Sequence, residues 1–426
     1  MNCFLISTLA EYQTTFWANV GDDLKQCGYA CEFISFDDRS TEILRNRGFN
    51  VYSLRDIPVS LRILSAEDSL NLLSKYGITT PERWFMHERF SYGEQNPDIL
   101  LHKFCASLQL AELAISKCKT THGNVSLIQE VGGFLSVIGC FFAAQQQQIT
   151  NWFIEPAFFK GRLFFTKNSF AAPLINSKTC AESLADVQNY LENACKKKTI
   201  VIPEKDRLHY SSALKKILNQ HNLIRLFQKS VDKYLLEKRQ EFGYIGRQLT
   251  NHIKMLVNSH LLKNSYTPLE QIERFVYFPL HVPADMALTI RSPEYADQLS
   301  LLEHIICATP ITHKVAVKEH PAMIGALDAF RFKELLRRYP QFKIINPSTS
   351  NYDVINASEL VVSINSKSGA EALLLGKQIA VLGEAFYSNN PLVQRINSPK
   401  DLPTIINNLL HSPVSIPNEQ VGEYFH

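Results

Sequence analysis

Apolar residues along this chain fall into two alternating patterns. Short runs rich in Val, Ile and Phe read as buried strands, and between them lie longer stretches in which apolar residues recur at helical spacing. In the first half Asn2–Ser7, Cys31–Phe36, Val51–Leu54, Asn124–Gln129 and Trp152–Ile154 read as strands. Thr14–Cys27, Asp98–Lys119 and Phe134–Gln147 read as helices, the second carrying Leu100, Leu101, Phe104, Leu108, Leu110, Leu113 and Ile115 on one face. Strands alternating with helices predict a parallel sheet in a Rossmann-type domain over residues 1–203. Pro58 to Glu94 gives no regular pattern; Trp84, Phe85, His87, Glu88, Arg89, Phe90 and Tyr92 crowd one piece of it, and either pack the domain edge or line an acceptor cleft.

The second half repeats the alternation. Phe275–Phe278, His313–Glu319, Glu359–Ile364 and Gln378–Leu382 read as strands, with helices at Glu294–Ala308, Leu327–Arg338, Asp353–Ala357 and Asp401–Leu410. Residues 266–411 therefore form a second Rossmann-like domain, and 412–426 an aperiodic tail. Between the two domains, residues 204–265 read as helical with no strand. Lys205, Arg207, Lys215, Lys216, Arg225, Lys229, Lys233, Lys238, Arg239, Arg247, Lys254 and Lys263 outnumber the acids there. This is a basic helical connector, either a solvated face or a surface that rests on an anionic membrane.

In open α/β sheets ligands bind beyond the carboxyl ends of the strands, so the residues that follow each strand are the candidates for chemistry. His281, His320 and Pro321 follow two strands, and Asn365, Ser366, Lys367 and Ser368 a third, with Ser368 expected to cap a helix through Gly369 and Glu371. A histidine donor, small hydroxyls and a helix N-terminus together can hold a phosphate leaving group without a metal, and Glu371 is placed to accept from ribose hydroxyls. Each has an ordinary alternative: a surface histidine beside a strand-ending proline, a turn histidine at 281, a plain N-cap serine. In the first half Glu130 and Glu155 follow strands, where a general base or a nucleophile belongs. Glu130 serves equally as a partner for the Gly132–Gly133 turn.

Lys318-Glu319-His320-Pro321-Ala322-Met323-Ile324-Gly325, preceded by Phe278-Pro279-Leu280-His281 and followed by the Ser-Gly-Ala-Glu-Ala-Leu-Leu-Leu-Gly-Lys run that starts at Ser368, resembles the capsule polysaccharide biosynthesis family. That family includes Kdo transferases of capsule and lipopolysaccharide assembly, which have GT-B folds. The His-Pro pair with a later pair of serines is similar to the CMP site of GT-B sialyltransferases. The resemblance, confined to residues 272–390, implies two Rossmann-like domains facing a cleft and a CMP-activated sugar acid as donor. It puts His320 and Ser366 or Ser368 on the phosphate, Glu371 near the ribose and His281 over the site, with Lys318, Pro321, Asn365 and Gly369 in the same motif. After Ile154-Glu155 the family pattern continues with an aspartate and Gly-Val-Asn. This chain reads PAFFKGRLFFTKNSF instead, which leaves a family role for that loop unsupported.

Composition narrows the functional classes. A chain of 426 residues exceeds one ordinary core and suits two domains. A net charge of only +3 over 426 residues, with both signs balanced outside the basic segment, argues against a nucleic-acid module. Nine cysteines show no metal-ligand spacing, Cys27 and Cys31 having no second pair, so reduced thiols and no metal are expected. The N-terminus lacks a basic leader, and the run Val131 to Ala144 is too short to span a bilayer. A cytoplasmic protein, peripheral at the inner membrane, is the resulting expectation. Its predicted activity is metal-independent transfer of Kdo from a CMP donor to a glycan or glycolipid acceptor, with no cofactor. The alternatives are a UDP-sugar transferase and a noncatalytic subunit of a capsule assembly complex.

Overall fold

The computed structural model describes residues 2–58, 64–158, 161–174, 193 and 220–412. The expected tail beyond 412 and residues 204–219 of the expected connector lie outside the described residues. The described chain forms two compact units: 2–157, 161–170 and 220–250 in one, 158, 171–174 and 251–412 in the other.

The first unit runs β1 (Asn2–Thr8), α1 (Glu11–Gln26), β2 (Ala30–Ser35), α2 (Asp38–Asn46), β3 (Val51–Ser53), α3 (Ala66–Lys75), α4 (Glu82–Tyr92), α5 (Pro97–His122), β4 (Asn124–Glu130), α6 (Leu135–Gln146), β5 (Thr150–Pro156) and β6 (Leu163–Lys167). Its sheet has the order β3-β2-β1-β4-β5-β6, parallel except for β6, which runs antiparallel to β5. Helices on both faces explain why Leu5, Ile6, Phe33 and Ile34 are all fully buried although neighbours in sequence point to opposite faces. α5 starts where Asn96 accepts from the Asp98 N–H with Pro97 at the first helical position. Two sequence expectations change here, and one open choice is decided. Pro58–Glu94 contains two helices, α3 capped by Ser65 and α4, whose apolar residues Trp84, Phe85, Phe90 and Tyr92 spread over more than one face. The aromatic cluster is packing: Phe85, His87, Glu88 and Tyr92 are buried, and Trp84 meets Phe142 edge to face. Finally, the LFFTK segment that no pattern marked as a strand forms β6.

The connector, over its described part, is two helices, α7 (Gln220–Tyr234) and α8 (Ile245–Leu262), and the boundary between the units falls at 250/251 within α8. Several of its basic residues are engaged with acids of the first unit: Lys238 with Glu42 and Arg247 with Glu94, while its own Asp232 receives Arg39. α5 is apolar and long enough to cross a membrane by length and composition, yet just over half of that window is buried, and its Lys103 bridges Glu88 and Glu241 inside the unit.

The second unit runs β7 (Tyr266–Thr267), β8 (Phe275–Pro279), α9 (Met286–Thr289), α10 (Gln298–Ala308), β9 (Lys314–Lys318), α11 (Ala329–Arg338), β10 (Phe342–Ile345), α12 (Asn351–Ala357), β11 (Leu360–Ser363), α13 (Lys367–Leu374), β12 (Ile379–Val381), β13 (Val393–Arg395) and α14 (Leu402–His411). All seven strands are parallel, in the order β13-β12-β11-β8-β9-β10-β7. Fully buried Val276, Phe278, Val315, Val317, Val362, Phe332 and Ile305 make one core under the helices. Strand β10 had escaped notice because Lys343 interrupts four residues bounded by Pro340 and Pro347. The fold class is two Rossmann-like α/β units, GT-B-like in composition.

Candidate functional site

The strand order of the second unit decides where a ligand belongs. The chain leaves β8 toward β9 and β10 on one side and returns to β11 and β12 on the other, so the crevice opens beyond the carboxyl ends of β8 and β11. Those ends carry His281 and Asn365. The Nε2 of His281 accepts from the Asn365 backbone N–H at 3.5 Å, which joins the two strand ends directly. Gln298 grips the His281 backbone from both sides, accepting from its N–H at 2.7 Å and donating to its carbonyl at 3.2 Å. Burial pushes the imidazole down to about 4, with Asp285 opposing and His320 reinforcing the shift, so His281 is a neutral, oriented ring at physiological pH. Asn365 donates to the Ala287 carbonyl and the Ser292 hydroxyl, and its buried Oδ1 has no hydrogen-bond partner.

The next strand, β9, ends in Lys318. Its side chain is 4% exposed, and burial drives the ammonium down to about 8 while Glu371 pulls the other way. Glu319 does structural work: it accepts from the Gly325 N–H at 2.9 Å and the Tyr266 hydroxyl at 3.3 Å, shaping the loop that follows. His320 accepts at Nδ1 from the Ala322 N–H at 3.3 Å and so carries its ring proton on Nε2. Pro321 is the first residue of the short turn that this cap begins.

The helix start after β11 differs from the expectation in one respect. Ser366, two residues before Ser368, is the N-cap of α13, its Oγ accepting from the Ser368 N–H at 3.1 Å. Ser363 holds the Ser366 N–H and Tyr387 donates to the Ser366 carbonyl. The Gly369 N–H also donates to that carbonyl, so two N–H groups expected to face a ligand are used internally. Gly369 is required for close packing, since a Cβ there would lie 2.1 Å from the Tyr387 hydroxyl oxygen. The Ser368 hydroxyl accepts from Asn351 at 2.9 Å, and the same amide donates to Glu371 at 2.5 Å while its oxygen accepts from Tyr277 at 2.8 Å. Burial raises the Glu371 carboxyl, opposed by Asn351, Lys318 and Lys367. Tyr277, Asn351, Ser292 and Tyr387 were not foreseen. No linear spacing connects them to the motif, and only the proximity of Asn351 to a helix start after Ser350 marks it at all.

In the first unit the corresponding crevice lies beyond β1 and β4, where Glu130 sits. Its Oε2 accepts from Gln13 at 2.9 Å and its Oε1 from the Trp17 indole at 3.2 Å, both on α1. Glu155 is placed otherwise. β5 runs to Pro156, with Glu155 opposite Phe164 of β6. Since Glu130 pairs with Ile154, Glu155 points to the other face of the sheet and the two carboxylates cannot act as a pair.

The second unit thus brings a buried lysine, two histidines and a serine-capped helix start to the carboxyl ends of the strands of a Rossmann-like sheet. The chain belongs to the capsule polysaccharide biosynthesis protein family, which it matches over residues 141–401, more than half its length. Protein FixF of Sinorhizobium fredii (strain NBRC 101917 / NGR234) is 32% identical over 143 residues, a match that spans 33% of this chain and 34% of that protein. Among solved structures, Thermosulfurimonas dismutans KpsC, a beta Kdo 2,7 transferase, is similar at 14% identity and a TM-score of 0.35, covering 73% of this chain and 79% of that one. Anabaena Alr3699/HepE in complex with UDP-glucose is similar at 10% identity and a TM-score of 0.31, covering 99% and 93%. Both likenesses are distant.

Proposed function

We propose that this capsule biosynthesis protein is a glycosyltransferase that moves a sugar acid, Kdo, from a CMP-activated donor to a growing capsule or lipopolysaccharide glycan. The observation that carries the reading is Lys318. It is a buried cation at the end of β9, in the same motif as His320, and the charge it lacks a full counterpart for is the charge of a leaving phosphate. His320 donates from Nε2, His281 shapes the crevice as a neutral ring, and Ser366 and Ser368 set the start of α13. Glu371, held by Asn351, receives the ribose hydroxyls. A cation supplied by the chain suits transfer without a metal. Glu130, oriented by Gln13 and Trp17, is the proposed catalytic carboxylate, deprotonating the acceptor hydroxyl or attacking the anomeric carbon. The acceptor is a glycan or glycolipid, and the setting is cytoplasmic, peripheral at the inner membrane. The motif's likeness to CMP sites sets CMP ahead of UDP as the nucleotide.

Calorimetric titration with CMP and with UDP, each with and without magnesium, tests this. Preferential, magnesium-independent CMP binding that is lost in His320→Ala is expected. A UDP preference replaces the donor class, and binding of neither nucleotide leaves the noncatalytic subunit as the better description.

A further inference from the structure

The first unit contains a second polar cluster, at the opposite ends of its strands from Glu130. Cys3 lies near the start of β1 and Glu32 on β2, and the register that pairs Cys3 with Ala30 and Leu5 with Glu32 puts both side chains on one face of the sheet. α5 crosses that face, and Cys118 and His122, four residues apart, project from one side of the helix. The ligand atoms of Cys3, Glu32 and His122 all lie within 4.8 Å of one another. The Cys118 thiol donates to Glu32 Oε2 at 3.2 Å and is hydrogen-bonded with Cys3. His122 Nε2 is 2.7 Å from Glu32 Oε1.

We propose that Cys3, Glu32, Cys118 and His122 form a structural site for a zinc-class divalent cation. Two thiolates, an imidazole and a carboxylate are the donor set of a closed tetrahedral zinc site, with no position left for substrate. Bond lengths of about 2.0–2.3 Å hold such donors roughly 3–4 Å apart, so Cys3, Glu32 and His122 have to contract by about an ångström, while Cys118 turns in from its hydrogen bond to Glu32. Tyr52 and Asn50 each reach Glu32 Oε2 at 2.8 Å and serve as the outer partners that orient a ligating carboxylate. The remaining buried cysteines of the unit, Cys31, Cys105 and Cys140, are in no such cluster among the described residues. Two thiols used as small apolar side chains need no glutamate and histidine beside them; a cation accounts for all four together. On binding, Cys3 and Cys118 each release a thiol proton to solvent, Glu32 is already a carboxylate, and the Nε2 proton that His122 gives to Glu32 is lost to solvent as Nδ1 keeps or takes up one, so that the Nε2 lone pair faces the ion. The ion ties the last turn of α5 to β1 and β2.

The test uses the full-length protein, reduced and stripped of metal, titrated with cobalt(II) as a spectroscopic substitute. Thiolate-to-cobalt charge-transfer absorption and intense tetrahedral d–d bands are expected to saturate at one equivalent, and zinc to displace them. Cys118→Ser should halve the charge-transfer absorbance and Cys3→Ser with Cys118→Ser abolish it, while Cys27→Ser with Cys307→Ser, at exposed positions, leaves it intact. Should the double variant fail to fold, wild-type melting followed with zinc and with a chelator gives an independent reading, zinc raising the transition. Absence of thiolate–cobalt bands with melting insensitive to both overturns the proposal. So does a mass lower by two protons that maps to a Cys3–Cys118 disulfide in protein purified without oxidant.

Discussion

Lys318→Met separates the cost of the buried cation from its use. The folded ammonium titrates at about 8 against an ordinary 10.5 because it is buried. At 1.36 kcal/mol per pH unit, that gap is a penalty of roughly 3 kcal/mol on the folded unit wherever the lysine is charged in both states. The sign follows from proton counting. Between pH 8 and 10.5 the unfolded chain holds the proton and the folded chain does not, so stability rises with pH across that window, and below pH 8 the penalty is complete. Methionine has the length and no charge, so the variant should be more stable than wild type near pH 7. The gain is about 1–3 kcal/mol, discounted because Glu371 loses the cation that opposes its own burial. The difference should shrink toward zero by pH 10.5. Urea unfolding of the second unit, read by pulse proteolysis at fixed pH, measures this without requiring the two units to unfold together. Parallel stability curves for the two proteins between pH 8 and 10.5 would refute the reasoning, because Lys318 would then not titrate in that range. The same variant should lose CMP binding if the phosphate is what the cation awaits.

Glu130→Gln should leave CMP affinity unchanged while lowering sugar transfer by about 10² or more, measured as released CMP, because Glu130 is proposed to act on the acceptor or the anomeric carbon and the nucleotide is assigned to the motif of the second unit. Gly325→Ala should cost the second unit about 2–4 kcal/mol in the same unfolding assay, since φ is +79° and a Cβ would lie 2.1 Å from the Met255 carbonyl oxygen. Lys103→Met leaves Glu88 and Glu241 buried without their shared cation and should destabilise the first unit by about 3–5 kcal/mol. That loss should ease as pH falls from 7 toward 5, because burial already raises Glu88 above the ordinary carboxylate range and a protonated acid needs no partner; calorimetric melting at the two pH values checks it.

The alternation of strand and helix was legible because parallel strands buried on both faces are nearly continuous apolar runs, as in Val315–Val317 and Leu360–Val362. Strand ends followed from the same runs, which is why His281, His320 and Asn365 were found at positions that the sheet order then selects. What failed to show was whatever depends on partners distant in sequence. Ser366 and Ser368 satisfy the N-cap preference equally. The choice of Ser366 rests on the Ser363 hydroxyl under its N–H and on Tyr387 against its carbonyl, 21 residues away. Asn351 reaches Glu371 across 20 residues and Cys118 reaches Glu32 across 86. Cysteine spacing read along the chain was blind to the latter cluster, since its four donors come from two strands and the far end of a long helix.

The electrostatics of the second unit's crevice point to a site that acquires its charge with its ligand. His281 is neutral, the Lys318 ammonium is pushed down to about 8, and the Glu371 carboxyl is pushed up, all three by burial first. The two N–H groups of α13 that a phosphate would ordinarily meet are already bonded to Ser366, so the helix start lends little beyond its dipole. A phosphate in the proposed site would be met by Lys318 and His320. Its negative charge raises the Lys318 ammonium back toward an ordinary value, which means that binding near pH 8 takes up a fraction of a proton. Calorimetric binding enthalpies for CMP should therefore depend on the ionisation enthalpy of the buffer at pH 8, above the titration of the CMP phosphate itself, and affinity should fall as pH rises past 8. A buffer-independent enthalpy at pH 8, with CMP bound, would place the phosphate away from Lys318.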